Sequence, residues 1–144
     1  MPAFGPRSRG MLETVDRDMV DVCTRAILSI DFAVICGARG PTEQNEAYRT
    51  GRSLVRWPDS KHNAMLPDLS RAVDIVPWHQ NAPHIRWNNE REFVFLAGHM
   101  DQAAHDLGIA IRWGGNWDQD DDLYDRNVPF DLGHFELVRI GGEV

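Results

Sequence analysis

Four acidic and imidazole side chains, spread over two segments of this 144-residue chain, could together run a hydrolysis. They are His62 in Ser60-Lys61-His62, Asp74 in Ala72-Val73-Asp74, and Asp131 with His134 in Asp131-Leu132-Gly133-His134. Two imidazoles and one carboxylate make a three-ligand set for zinc, and three protein ligands leave the fourth coordination position to water. A zinc ion lowers the pKa of such a water from about 16 to roughly 7, so a nucleophile becomes available at neutral pH. Asp131, a few residues before His134, then stands where a base is needed. Each residue also has a plainer reading: Asp74 as a hydrogen-bond acceptor on a strand, His134 as a core histidine, His62 as a surface residue. Glu136 follows His134 by one strand repeat and projects to the same face, which makes it a rival ligand, base or supporting partner.

Around this set lie further polar groups. Arg39, on a turn in Gly37-Ala38-Arg39, offers a cation that cannot lose its proton and suits a carboxylate or a developing oxyanion; the alternative is a turn residue paired with Glu43 or another acid. Ser60 is a substrate or ligand-orienting contact or a plain loop serine. Trp78, Trp113 and Trp117 line a groove or pack in the core. His79, His84, His99 and His105 fall in polar loops or on a helix and read as solvated. Asp118, Asp120, Asp121, Asp122 and Asp125 crowd one stretch without the glycine and closing glutamate of an EF-hand loop. A solvated loop is the favoured reading there, with calcium as the other.

The elements that must position these groups follow from periodicity. Leu12, Val15, Met19, Val22, Cys23, Ala26, Ile27 and Ile30 recur at helical spacing and predict an amphipathic helix over 11–30. Phe32 to Cys36 is an apolar run closed by Gly37 and reads as a strand. Pro41 and Gly51 frame a helix over 41–50. Residues 52–71 read as loop, and 72–76 alternate as a strand that Pro77 stops. Asn88 or Asn89 caps a second long helix that ends at Gly108. Segments 109–112 and 134–138 complete the strands. The order implies an α+β domain over residues 1–144, with helices packed on a small, largely antiparallel sheet.

Whole-chain quantities narrow the function class. With 15 basic and 22 acidic residues the net charge is −7, and no basic face is available to neutralise phosphates, so nucleic acid is not an expected partner. Hydrophobic content of 42% and charged content of 26% are ordinary for a folded domain. The basic N-terminus has no apolar run behind it, so no secretory signal is read, and no stretch approaches the roughly 20 apolar residues of a membrane span. Cys23 and Cys36 sit in apolar contexts and read as small buried hydrophobes rather than a disulfide.

Several short motifs occur in one order along the chain: Gly37-Ala38-Arg39, Gln44, Gly51-Arg52-Ser53, Ser60-Lys61-His62, Ala72-Val73-Asp74, Trp113-Gly114-Gly115-Asn116-Trp117 and Asp131-Leu132-Gly133-His134-Phe135-Glu136-Leu137. In this set the chain resembles the zinc peptidases that include D-alanyl-D-alanine carboxypeptidases, the D-Ala-D-Ala dipeptidases of vancomycin resistance and the L-alanyl-D-glutamate endopeptidases of phage endolysins. Phe4-Gly5, Ser8 and Thr14-Val15-Asp16 are similar to the single-domain phage branch.

The resemblance implies zinc held by His62, Asp74 and His134, Asp131 as general base, and Arg39 as the oxyanion-stabilising cation. Ser60, Gln44 and Trp113 are carried over as substrate contacts. It implies a peptidoglycan peptidase acting at phage lysis, cutting the L-alanyl-D-glutamate bond, with a D-Ala-D-Ala carboxypeptidase or dipeptidase as the alternative. A wall-binding or metal-storing protein with a dead site is the rival from another class. The protein is expected to act as a monomer, to wait in the host cytoplasm, and to reach the wall through a separate holin-type protein. The chain departs from the family pattern in two places: a longer, glycine-free run between His62 and Asp74, and Asn116 where many relatives carry aspartate.

Overall fold

The computed structural model describes residues 2–64, 68–117, 119 and 131–138. Asp118, Asp120, Asp121, Asp122 and Asp125 lie outside these residues, and the calcium reading lies there with them. The described chain runs α1 (Pro6–Leu12), α2 (Arg17–Ala26), β1 (Phe32–Cys36), α3 (Pro41–Arg49), β2 (Ala72–Pro77), α4 (Glu90–Leu107), β3 (Ile111–Trp113) and β4 (His134–Leu137). The strands form one sheet in the order β1-β2-β4-β3, every neighbouring pair antiparallel. This is the α+β architecture expected from the sequence.

The helix expected over 11–30 is two helices. α1 ends at Leu12, and the chain turns so that the Asp16 N–H donates to the Ser70 carbonyl (2.8 Å) and the Ser70 N–H to that of Thr14 (2.9 Å). Asp16 then caps α2, its carboxylate accepting the Asp18 N–H at 3.0 Å. The apolar spacing runs through the break because Leu12 and Val15 enter the same core as Met19, Val22, Cys23 and Ala26. Apolar periodicity reports the shared destination of those side chains, not an unbroken backbone. α4 ends as expected at Gly108, whose φ of 69° is the left-handed cap that glycine adopts without penalty. Ile109 and Ala110 belong to that exit, so β3 begins two residues later than the sequence suggests.

Alternation along the strands sorts the two faces of the sheet. Val73 and Ile75 of β2 and Phe135 and Leu137 of β4 join the core beneath α2 and α4, with Leu96, Ala97 and Met100 packed from α4. The intervening residues must point the other way. Asp74 of β2, His134 and Glu136 of β4 and Arg112 of β3 therefore share the opposite face. The register pairs Asp74 with His134 and Arg112 with Glu136. A buried apolar layer thus fixes the place of four polar side chains.

Candidate metal centre

Directly opposed residues on antiparallel strands stand about 4.5–5.5 Å apart at Cβ, close enough for their polar atoms to meet. Asp74 and His134 are such a pair. His62 arrives from the loop after α3 and is held there by its backbone: the Arg39 N–H donates to the His62 carbonyl at 2.8 Å, and the His62 N–H to Ser60 Oγ at 3.1 Å. Its ring is 1% exposed.

The three side chains converge on a nearly equilateral triangle. His62 Nε2 lies 3.2 Å from Asp74 Oδ1 and 3.3 Å from His134 Nδ1, and His134 Nδ1 lies 3.2 Å from Asp74 Oδ1. A tetrahedral ion with bonds of about 2.0–2.1 Å separates its ligand atoms by about 3.3 Å. The donors therefore fit zinc in both chemistry and spacing. The outward nitrogens support this. His62 Nδ1 is 2.7 Å from the Gly37 carbonyl, which can only accept, and His134 Nε2 is 2.8 Å from Glu136 Oε1. With a metal bound, each outer nitrogen would keep its proton and each inner nitrogen, giving up the proton it shares with Asp74, would turn a lone pair into the triangle. Glu136 is thereby the partner of His134 and not a corner of the triangle. Its other oxygen meets Arg112 Nη2 at 2.8 Å, and the Arg112 guanidinium lies over the Trp117 ring, which packs against His134.

Charge in the cluster is strongly coupled. Burial disfavours protonated His62, but the Asp74 carboxylate in contact with it wins and raises it to about 10. Burial likewise acts against ionised Asp74, and the two imidazoles more than offset it, holding the carboxyl well below the usual range. Asp131 stands at the cluster's exposed lip, with a carboxylate oxygen within 4.8 Å of ligand atoms of Asp74 and His134. Partial desolvation and the nearby Asp74 charge push its carboxyl upward, the direction a proton-accepting group near neutrality needs.

Asp131 is positioned by backbone. Its N–H donates to the Gly114 carbonyl at 2.9 Å, and the Gly114 N–H donates to that of His134 at 2.8 Å. A Cβ on Gly114 would overlap the Asp131 carbonyl, so only glycine permits this approach. Arg39 Nη2 pairs with Asp74 Oδ2 at 3.1 Å, using the carboxylate oxygen that faces away from the triangle. Its partner is thus an acid, Asp74, rather than Glu43.

The three residues carried over as substrate contacts each make internal hydrogen bonds next to the centre. Gln44 is fully buried; its carbonyl accepts from Arg39 and Asn63, and its amide donates to Ser53 Oγ and the Val55 carbonyl. Ser60 receives the His62 N–H, and Trp113 Nε1 donates to the Leu132 carbonyl at 2.9 Å while its ring packs against the core. They hold the groups that flank the centre. Arg112 was not singled out from the sequence; strand alternation opposite Glu136 was the signal that could have found it. Cys36, read as a buried hydrophobe, is half-buried with Sγ 3.8 Å from His62 Nδ1, whereas burial pushes the Cys23 thiol up to about 12. Both thiols are free. His79 and His84 are not merely solvated: His79 pairs with Glu92 at 2.8 Å and His84 stacks on Trp78.

Comparison with known proteins identifies relatives along nearly the whole chain. The chain is 32% identical over 139 residues to the L-alanyl-D-glutamate peptidase of Escherichia phage T5, covering 94% of this chain and 97% of that one. The crystal structure of the Serratia marcescens L-Ala D-Glu endopeptidase ChiX superposes with a TM-score of 0.73 at 27% identity, covering 94% of this chain and 90% of that one. The model of the phage L-alanyl-D-glutamate peptidases matches residues 2–138, and the chain belongs to that family.

Proposed function

We propose that this protein is a zinc-dependent peptidoglycan peptidase that hydrolyses the L-alanyl-D-glutamate bond of wall stem peptides as a phage endolysin. The observation that carries the reading is the triangle of His62 Nε2, Asp74 Oδ1 and His134 Nδ1, whose edges of 3.2–3.3 Å match the ligand spacing of tetrahedral zinc. Family membership supports the choice of bond.

His62, Asp74 and His134 would hold the metal, which when bound polarises the scissile carbonyl and acidifies a water. Asp131 accepts a proton from the attacking water and returns it to the leaving amine of D-glutamate. Arg39 orients Asp74 through its Oδ2, and presents fixed positive charge beside the carbonyl as its oxygen gains charge. Among the described residues no helix is long and apolar enough to cross a membrane. The protein acts as a monomer, is released at lysis, and depends on a separate membrane-permeabilising protein for access to the wall.

The test is mass spectrometry of purified peptidoglycan after digestion, with a chelated sample and a chelated sample restored with zinc. New L-alanine C-termini paired with D-glutamate N-termini, lost on chelation and regained with zinc, are the expected result. Free D-alanine would move the assignment to a carboxypeptidase, and an unchanged wall would defeat the enzymatic reading. Asp131→Asn should lower kcat by about 10²–10⁴ while metal still binds; a protein that only binds wall or metal would be indifferent to it.

A further inference from the structure

Away from the metal centre, two adjoining cavities open around the start of α4. One, of about 850 Å³, is lined by Trp87 and Asn88 among others; the second, of about 500 Å³, is lined by Trp78, Asp31, Glu92 and Phe95. Asn89 and Arg91 border both, so the two are neighbours on one surface. Both fall within the 300–1,000 Å³ range of ligand sites. Trp87 is 60% exposed and Phe95 63%, with Trp78 partly exposed between the cavities and the end of β2. Large rings left open to water beside fixed polar groups are what a recognition surface retains.

The polar groups are fixed. Glu92 Oε2 meets His79 Nε2 at 2.8 Å and Glu92 Oε1 lies 3.8 Å from Arg86. His84 stacks flat on Trp78, ring centroids 4.8 Å apart and planes 2° from parallel, while its Nδ1 sits 2.8 Å from the His79 carbonyl. The indole is thus braced on one face. The acids Asp31, Glu90 and Glu92 stand against Arg86 and Arg91, so charges of both signs line the groove and leave it a net charge of only about −1. It is built for a neutral ligand with flat apolar faces and a hydrogen-bonding rim. A pyranose has those properties: its C–H face packs on an aromatic ring, and its hydroxyl and acetamido groups exchange hydrogen bonds with carboxylates, amides and guanidinium.

Position points the same way. The Trp78 N–H donates to the Asp31 carbonyl, continuing the β1–β2 ladder one step past Pro77. Alternation then puts Trp78 on the face of Asp74, about 13 Å along the strand. In peptidoglycan the alanine before the scissile bond is joined directly to the lactyl group of muramic acid. Two extended units of about 3.5 Å each separate that bond from the sugar, so the attached ring and its neighbour lie at this range.

We infer that this groove binds the glycan strand of the wall, which would pass Trp78 at the end of β2 and continue over Trp87 and Phe95 around the start of α4. The inference rests on the peptidase reading for its choice of polymer. The test is binding of peptide-stripped glycan strands, followed by tryptophan fluorescence or sedimentation. It is paired with kcat/KM on intact wall and on a glycan-free stem peptide.

Trp87→Ala and Phe95→Ala should each weaken glycan binding about fivefold and lower the ratio of wall to free-peptide kcat/KM by a similar factor. Unchanged glycan binding, or equal loss on both substrates, would overturn the inference. A wild-type protein that binds the strands but cuts neither substrate would defeat the peptidase reading and uphold the glycan site.

Discussion

Glu136 decides which nitrogen of His134 faces the metal position. Because its Oε1 takes the Nε2 proton at 2.8 Å, the Nδ1 lone pair is left for the triangle, and Arg112 pins the other oxygen. Glu136→Gln keeps the shape but removes the charge that Arg112 and the His134 N–H both use. We expect metal affinity to fall about 10–100-fold, measured by competition with a chromophoric chelator, with turnover recovering at saturating zinc. Turnover abolished even with metal bound would instead make Glu136 the base. The two cysteines differ at the same scale. Cys23 is fully buried with its thiol pushed up to about 12, while Cys36 is half-buried beside His62. A thiol reagent should label one cysteine in the folded protein and two after denaturation; two rapid labels in the native state would contradict the burial of Cys23.

At the scale of elements, Gly114 shows how a turn after β3 sets a reacting group on the segment before β4. The Gly114–Asp131 backbone pairing leaves no room for a Cβ, so Gly114→Ala must push Asp131 away from the cluster. We expect about 1–3 kcal/mol of destabilisation in denaturant melts and a fall in kcat with KM nearly unchanged. Full activity would mean that Asp131 is not held through this contact. The same logic explains what the sequence could reveal. Strands were legible because their core residues alternate, and that alternation also put Asp74, His134 and Glu136 on one face. The break between α1 and α2 was hidden because Leu12 and Val15 keep helical spacing while serving the core from a turn. Gln44, Ser60 and Trp113 belong to the motifs, yet spacing alone does not show that they bond to Arg39, the His62 N–H and the Leu132 carbonyl. Arg112 escaped notice because its meaning lies in the β3–β4 register, which local sequence does not encode.

For the whole molecule, the triangle adds a side-chain junction between three parts of the chain, the His62 loop, β2 and β4, that backbone hydrogen bonds already bring together. A ligand that binds only the folded form adds RT ln(1 + [L]/Kd) to stability, about 2.7 kcal/mol at 100 times Kd. For a chain of this length that corresponds to about 8 °C in Tm. Removing the metal with a chelator should lower Tm by that order, and restoring zinc should return it. His134→Ala should abolish the zinc-dependent shift, since it removes one corner and leaves two donors. Asp131→Asn should keep the whole shift, because the cluster it borders is complete without it. Calorimetric melts of the three proteins with and without zinc separate these roles independently of any activity assay. A zinc shift surviving in His134→Ala would place the metal elsewhere, and one lost in Asp131→Asn would make Asp131 a ligand, leaving the proton transfer to another group.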